Sequence, residues 1–333
     1  MTVSREIRLK SRPVGTPTAD NFELATVNLP DPAPGEVQVR NSWMTVDPYM
    51  RGRMNDVQSY VPAFQIGEPL QGGAVGEVVA SNDPAFKPGE TVQSFFGWRE
   101  AFNAPAAAVQ KLDTHGLPPQ AFLGATGMPG LTAYAGLLKI AALKPGDVVF
   151  VSGAAGAVGQ IVCQIAKIKG HTVIASAGGA DKIAYLKEIG VDHAIDYKAE
   201  RDLTGALMKA APDGIDVYFD NVGGAHLEAA LMAARPFGRF ALCGMISQYN
   251  ATDLGPGVRG LIMAVGKQLR LEGFIVSSHG DMQPAFVTDM ASWIAQGKMK
   301  WRETVEEGVE NAPAAFLKLF KGENLGKMLV RLS

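Results

Sequence analysis

Tyr249 stands in "CGMISQYN", directly after the β-type run "GRFALCG". A phenol has an ordinary pKa of about 10, stays protonated at neutral pH and can donate its proton to a developing negative charge. Asn221 follows a second such run, "DVYFD", where its amide suits a ribose or phosphate oxygen and equally suits an Asx turn before Gly223-Gly224. Gly244 would let the backbone approach a ligand closely. Both groups follow β-type runs, and in open α/β sheets ligands bind past the carboxyl ends of the strands. Tyr49 in "DPYMRGR" offers a wall for a substrate; Arg51 and Arg53 beside it could bind an acidic tail or make structural ion pairs.

The stretch "VFVSGAAGAVGQIVCQIAKIKG" feeds an apolar run through a small-residue turn into a helical pattern. Such a turn aims free N–H groups and a helix dipole at one point, a seat for a diphosphate. Ala154, Gly156 and Gly159 take the three places of G-x-G-x-x-G, so the first is altered, and Ala157 and Val158 lie between the last two. An NAD site carries an acid about 20 residues past this motif, to hold the ribose 2′-hydroxyl. Here the corresponding run ends in Gly178-Gly179, followed by Asp181 and Lys182. A glycine pair leaves room for a 2′-phosphate and Lys182 supplies positive charge, so NADPH is expected rather than NADH; otherwise Lys182 is an exposed first-turn lysine.

Other chemistries lack their residues. Two cysteines, Cys163 and Cys243, make neither a disulfide framework nor a closed thiolate site, and both read as buried hydrophobes. The five histidines, His115, His171, His193, His226 and His279, have no ligand-like spacing and read as surface or strand-end residues, so no metal is expected. "GENLGK" near the C-terminus lacks the spacing and the Ser/Thr of an ATP loop. A formal charge of −2, with no basic run, predicts no nucleic-acid partner. The absence of a bilayer-length apolar run or an export signal predicts a soluble, cytoplasmic protein with no membrane partner.

Elements must position these residues. The 333 residues hold 47% apolar and 19% charged side chains, enough for two domains. Up to about Leu123 short β-type runs such as "GEVQVRNSWMTVD" and "GGAVGEVVAS" break at Pro and Gly, which predicts a β-rich, barrel-like domain. From Val148 to about Val276 the runs "VVFVS", "TVIASA", "HAIDY", "IDVYFD", "GRFALCG" and "LRLEGFIV" alternate with helical segments. That alternation requires crossovers and hence a mostly parallel, doubly wound Rossmann sheet. Val158, Ile161, Val162, Ile165 and Ile168 give the first helix one face to bury. The tail from about Pro284 is expected to return to the first domain.

Seven stretches, "VDPYMRGRM", "GMPGLTAYAGL", "GAAGAVG", "AGGADK", "DNVGG", "CGMISQYN" and "ENLGK", resemble in order those of a known family. The chain is similar to the zinc-independent, NADPH-dependent alkenal/one oxidoreductases among the medium-chain dehydrogenase/reductases, which include leukotriene B4 12-hydroxydehydrogenase/prostaglandin reductases, plant double-bond reductases and bacterial curcumin reductase. Where zinc-dependent relatives carry Gly-His-Glu, this chain reads Gly67-Glu68-Pro69, and no cysteine precedes Cys163. The resemblance implies a GroES-like substrate domain over 1–123 and 290–333 and a Rossmann NADPH domain over 124–289. It implies reduction of the C=C bond of α,β-unsaturated ketones or aldehydes (enones and enals), with hydride to the β-carbon and a proton to the enolate. A family tyrosine falls on Tyr249 as catalytic and substrate-binding residue, unless it only packs on the cofactor and a ribose hydroxyl or water donates. Tyr49 falls among the substrate contacts. Cofactor contacts fall on Gly156, Ala157, Val158, Gly159, Gly178, Lys182, Tyr197, Asn221, Cys243, Gly244, Met128, Thr132, Phe274, Val276 and Asn324. A homodimer is implied as well. The alternatives are an NADPH:quinone reductase and a non-catalytic NADPH-binding module.

Overall fold

The computed structural model describes residues 1–253 and 255–332. The chain divides into two compact units: Met1–Leu123 with Glu303–Asn324 and Met328–Ser333, and Gly124–Arg302 with Leu325–Lys327. The first unit is built on a sheet in the order Glu303–Glu307, Lys327–Arg331, Glu36–Thr45, Ala74–Ser81, Thr91–Ser94, Gln110–Lys111, with Ala101–Pro105 also paired to Glu36–Thr45. Antiparallel pairing sends alternate side chains to opposite faces. Val37 and Val39 accordingly pack with Val78, Val92 and Phe102, whereas Met44 joins a second core with Met50, Trp98 and Phe316.

The second unit contains the expected Rossmann sheet. Its strands are β1 (Val148–Val151), β2 (Thr172–Ala177), β3 (His193–Asp196), β4 (Ile215–Asp220), β5 (Ala234–Leu242) and β6 (Arg270–Gly273). All pair in parallel, in the spatial order β3-β2-β1-β4-β5-β6. The crossovers are α1 (Gly159–Ile168), α2 (Ala180–Glu188), α3 (Leu203–Ala210) and α4 (Ala225–Ala233). Because both faces are covered, successive strand residues are apolar yet diverge. Val149, Val151, Val217 and Phe219 meet Ile161, Val162 and Ile165 of α1 on one face. Phe150, Ile174, Tyr218 and Phe240 meet Leu207 of α3 and Leu227 and Leu231 of α4 on the other. Each such side chain contributes roughly 1.5–3 kcal/mol relative to exposure. A charge at Ile161 would leave that face without its seal. Gly170, at φ 85°, stops α1 and turns the chain into β2.

One boundary differs from the expectation. The helix Gln283–Ala295 lies in the second unit, and the chain returns to the first only at Glu303. Phe286, Met290 and Trp293 on one face of that helix are buried in the core that holds Tyr134. An amphipathic helix goes where its apolar face is covered, and sequence periodicity does not say by which unit.

Candidate active site

The glycine turn lies past the carboxyl end of β1, where the sheet order reverses between β1 and β4. Gly153 sits at φ 57°, and Ala154 N–H donates to Ser176 O at the tip of β2, fixing the bend. A Cβ on Gly159 would stand 2.5 Å from Gly153 O and 2.7 Å from Ala154 Cα; only hydrogen fits between helix and turn. A Cβ on Gly156 would crowd Gly153 O at 3.2 Å. No side chain caps the start of α1; within its first turn the N–H groups of Gln160 and Ile161 donate to Gly156 O and Val158 O. Gly326 adds a lateral support: its N–H donates to Ala155 O at 2.8 Å, forming a bridge between Gly156 and Gly326. The "ENLGK" motif thus serves the turn through Gly326, a contact the local sequence does not announce.

At the tip of β2 stand Gly178 and Gly179, the latter at φ 103° before α2. Lys182 occupies the first turn of α2, and burial, then the charge of Lys198, lowers its pKa. Tyr197 follows β3 and donates its backbone N–H to Ala177 O. Its ring lies edge-on to His226, 5.1 Å between centroids. His226 is buried on α4, with Nε2 2.6 Å from Ser176 Oγ; burial pushes its pKa down to about 4. The sequence placed every histidine at the surface or a strand end. His226 and His171 are instead buried, because each finds one polar partner, Ser176 Oγ and Asp147 O respectively.

The tips of β1, β4 and β5 meet in a buried polar node that the sequence did not single out. Asp220 Oδ1 receives the N–H groups of Val222 and Gly223 at 2.9 and 2.8 Å. The Tyr218 hydroxyl lies 2.6 Å from the same oxygen, and Ser152 Oγ donates to it at 3.0 Å. Asp220 Oδ2 is buried without a partner, and burial pushes this carboxyl above its ordinary value. Asn221 N–H donates to Ser152 Oγ and its Nδ2 to Ser152 O at 2.8 Å, so its amide nitrogen holds the loop and its Oδ1 is the group left for a ligand.

Tyr249 follows a short 3-10 turn, Ile246–Gln248, and folds back over the tip of β5. Met245 N–H donates to its hydroxyl at 3.4 Å, and a Cβ on Gly244 would lie 2.8 Å from the same oxygen. Gly244 is therefore the residue that lets the phenol approach. Beside it a cavity of about 560 Å³ is lined by Cys243, Gly244, Met245, Phe274, Ile275 and His279. Cys243 is half-buried just past β5; burial pushes its thiol up to about 12, so it stays neutral. Val276 starts the 3-10 segment after β6, and His279 Nδ1 is buried without a partner. Met128 opens the helix Met128–Ala135, and Thr132 Oγ1 donates to Met128 O. In the second unit the glycine turn, Gly178, Tyr197, Asn221, Cys243 and Gly244 follow strand ends of one sheet, whereas Met128 and Thr132 stand on a helix. A glycine cradle, an uncapped helix start, orphaned buried atoms and a lysine beyond β2 together fit a phosphorylated dinucleotide.

The first unit holds Tyr49, Arg51, Arg53 and Asn324. Tyr49 precedes the short helix Met50–Arg53, and burial, then Asp47, raises its phenol above the ordinary value. Both arginines are buried. Arg51 donates to Gly15 O and Asn55 Oδ1; Arg53 donates to Pro62 O and Gln71 Oε1 and lies 4.0 Å over the Phe64 ring. These contacts tie loops together. Among the described residues no group of three or more His, Cys, Asp or Glu is placed to hold a metal ion.

A parallel sheet with a glycine turn at its point of reversal defines a dinucleotide-binding domain. Two family models match the chain, "N-terminal domain of oxidoreductase" over 5–112 and "Zinc-binding dehydrogenase" over 157–292. Among the described residues the donor set does not fit the zinc of the second description. Prostaglandin reductase 1 of Rattus norvegicus is 42% identical, covering 99% of this chain and 100% of that protein. NADPH-dependent curcumin reductase of Escherichia coli (strain K12) is 40% identical, covering 98% of this chain and 96% of its own. The crystal structure of CurA from Vibrio vulnificus in complex with NADPH superposes with a TM-score of 0.93 at 43% identity, over 99% of both chains. The chain belongs to the zinc-independent medium-chain dehydrogenase/reductases, in their alkenal/one oxidoreductase group.

Proposed function

We propose that this protein is an NADPH-dependent reductase of the C=C bond in α,β-unsaturated ketones and aldehydes. One observation carries the reading: a phenol hydroxyl lies over the glycine at the tip of β5, beside a cavity in the dinucleotide-binding unit. The names of the relatives, prostaglandin reductase and NADPH-dependent curcumin reductase, support it. When bound, the cofactor supplies a hydride to the β-carbon of the conjugated carbonyl.

The chain's residues do the rest. Gly156, Ala157, Val158 and Gly159 seat the diphosphate, while Gly178, Lys182 and Tyr197 receive the 2′-phosphate. Asn221 meets the nicotinamide ribose or the phosphates, Met128 and Thr132 line the nicotinamide side, Cys243, Gly244, Phe274 and Val276 contact the cofactor, and Asn324 lies near the diphosphate. Tyr49 contacts substrate. Tyr249 donates a hydrogen bond to the substrate oxygen as negative charge grows there, and a proton to the enolate. Conjugation already makes the β-carbon electrophilic, so a preorganised hydroxyl meets the need without a Lewis acid. The active form is proposed as a cytoplasmic homodimer; a light-scattering mass of one chain would overturn the pairing.

The test is NADPH oxidation with a simple enone, followed by product analysis. A saturated ketone is expected. An allylic alcohol, or turnover of quinones with enones untouched, would overturn the proposal.

A further inference from the structure

Two lysines close on the tip of β2 from different elements. Lys198 follows β3 rather than β2, and its stem lies across Gly178: Cγ, Cδ and Cε stand 3.0, 2.9 and 2.8 Å from where a Cβ on that glycine would be. Lys182 stands in the first turn of α2, where burial, and after it the charge of Lys198, lowers its pKa. Asp196 Oδ1 accepts the backbone N–H of Gly179 and that of Lys198, each at 3.0 Å. One oxygen therefore clips together the two backbone segments that carry the lysines.

We propose that Lys198, clipped by Asp196 against Gly179, is the second cation of a clamp for a phosphate monoester dianion, the 2′-phosphate of NADPH, and that it sets the preference for NADPH over NADH. The proposal rests on the NADPH reading above. Gly178 then has a stated purpose: any side chain would displace the lysine stem. Lys182 approaches from the helix and Lys198 from the neighbouring strand, so a dianion is met from two sides. A 2′-hydroxyl gains nothing from either.

Calorimetric titration of the full-length protein with NADP⁺, NAD⁺ and 2′,5′-ADP tests this without turnover. Lys198→Ala should weaken NADP⁺ and 2′,5′-ADP about tenfold, the loss of one charge-assisted bond, and leave NAD⁺ within about twofold. Lys198→Arg should restore NADP⁺ affinity. An equal loss for NAD⁺ would make Lys198 merely structural and overturn the clamp, as would an Ala variant that keeps the full preference for NADP⁺. If the unaltered protein binds NADP⁺ no better than NAD⁺, the cofactor reading itself falls, which is a different result.

Discussion

Tyr249 reaches the tip of β5 because Gly244 has no side chain and because Met245 N–H donates to the phenol oxygen. If that hydroxyl stabilises the enolate and delivers its proton, Tyr249→Phe should lower kcat by about 100-fold or more, the usual size of a lost general acid. NADP⁺ affinity should stay within about twofold, since the ring and its packing survive. Stopped-flow turnover with an enone, alongside calorimetric binding, separates the two; an unchanged kcat would remove Tyr249 from the chemistry. At this scale, residues whose placement depends on their immediate neighbours are legible in the sequence. Gly156, Gly159, Asn221, Gly244 and Tyr249 all follow β-type runs, and their positions in the structure follow from that. Lys198, Ser152 and Asp220 were not legible. Lys198 gains its meaning only because β3 lies beside β2, and Ser152 only because the tip of β1 lies beside that of β4.

The elements of the second unit follow from its apolar runs and the helical spacing between them, and the parallel sheet from the need for crossovers. Where the C-terminal segment returns is not written in that pattern, because it depends on tertiary contacts. Gly326 shows this most plainly. It sits at φ 72°, its N–H holds Ala155 O, and a Cβ there would overlap the Arg302 carbonyl oxygen. Gly326→Ala therefore has to break the bridge to Gly156 or strain the backbone. A loss of about 2 kcal/mol or more is expected, read as a lower denaturant midpoint, with a parallel fall in NADP⁺ affinity. A midpoint unchanged from the parent would mean that the turn does not lean on this segment.

Across the whole molecule, the division into a β-rich unit and a Rossmann unit is visible in the change of texture near Gly124. The balance of folding against pH is not, because it depends on burial. Burial pushes the pKa of His226 down to about 4. An unfolded histidine titrates near 6.5, so above that pH both states are neutral and the residue costs nothing. Between about 6.5 and 4 the unfolded chain takes up a proton that the folded one refuses, and stability falls as pH drops. At pH 5 the loss should be about 2 kcal/mol, approaching roughly 3 kcal/mol below pH 4. Carboxylates held down by partners, such as Asp192 beside Lys167, add their own losses at lower pH in parent and variant alike. The difference between them isolates the histidine. His226→Gln can still meet Ser176 Oγ but does not titrate, so it should start from a lower midpoint at pH 7.5 and lose less between pH 7 and 5. Urea melts at half-unit pH steps measure both curves; parallel curves would mean that His226 becomes protonated within the folded protein.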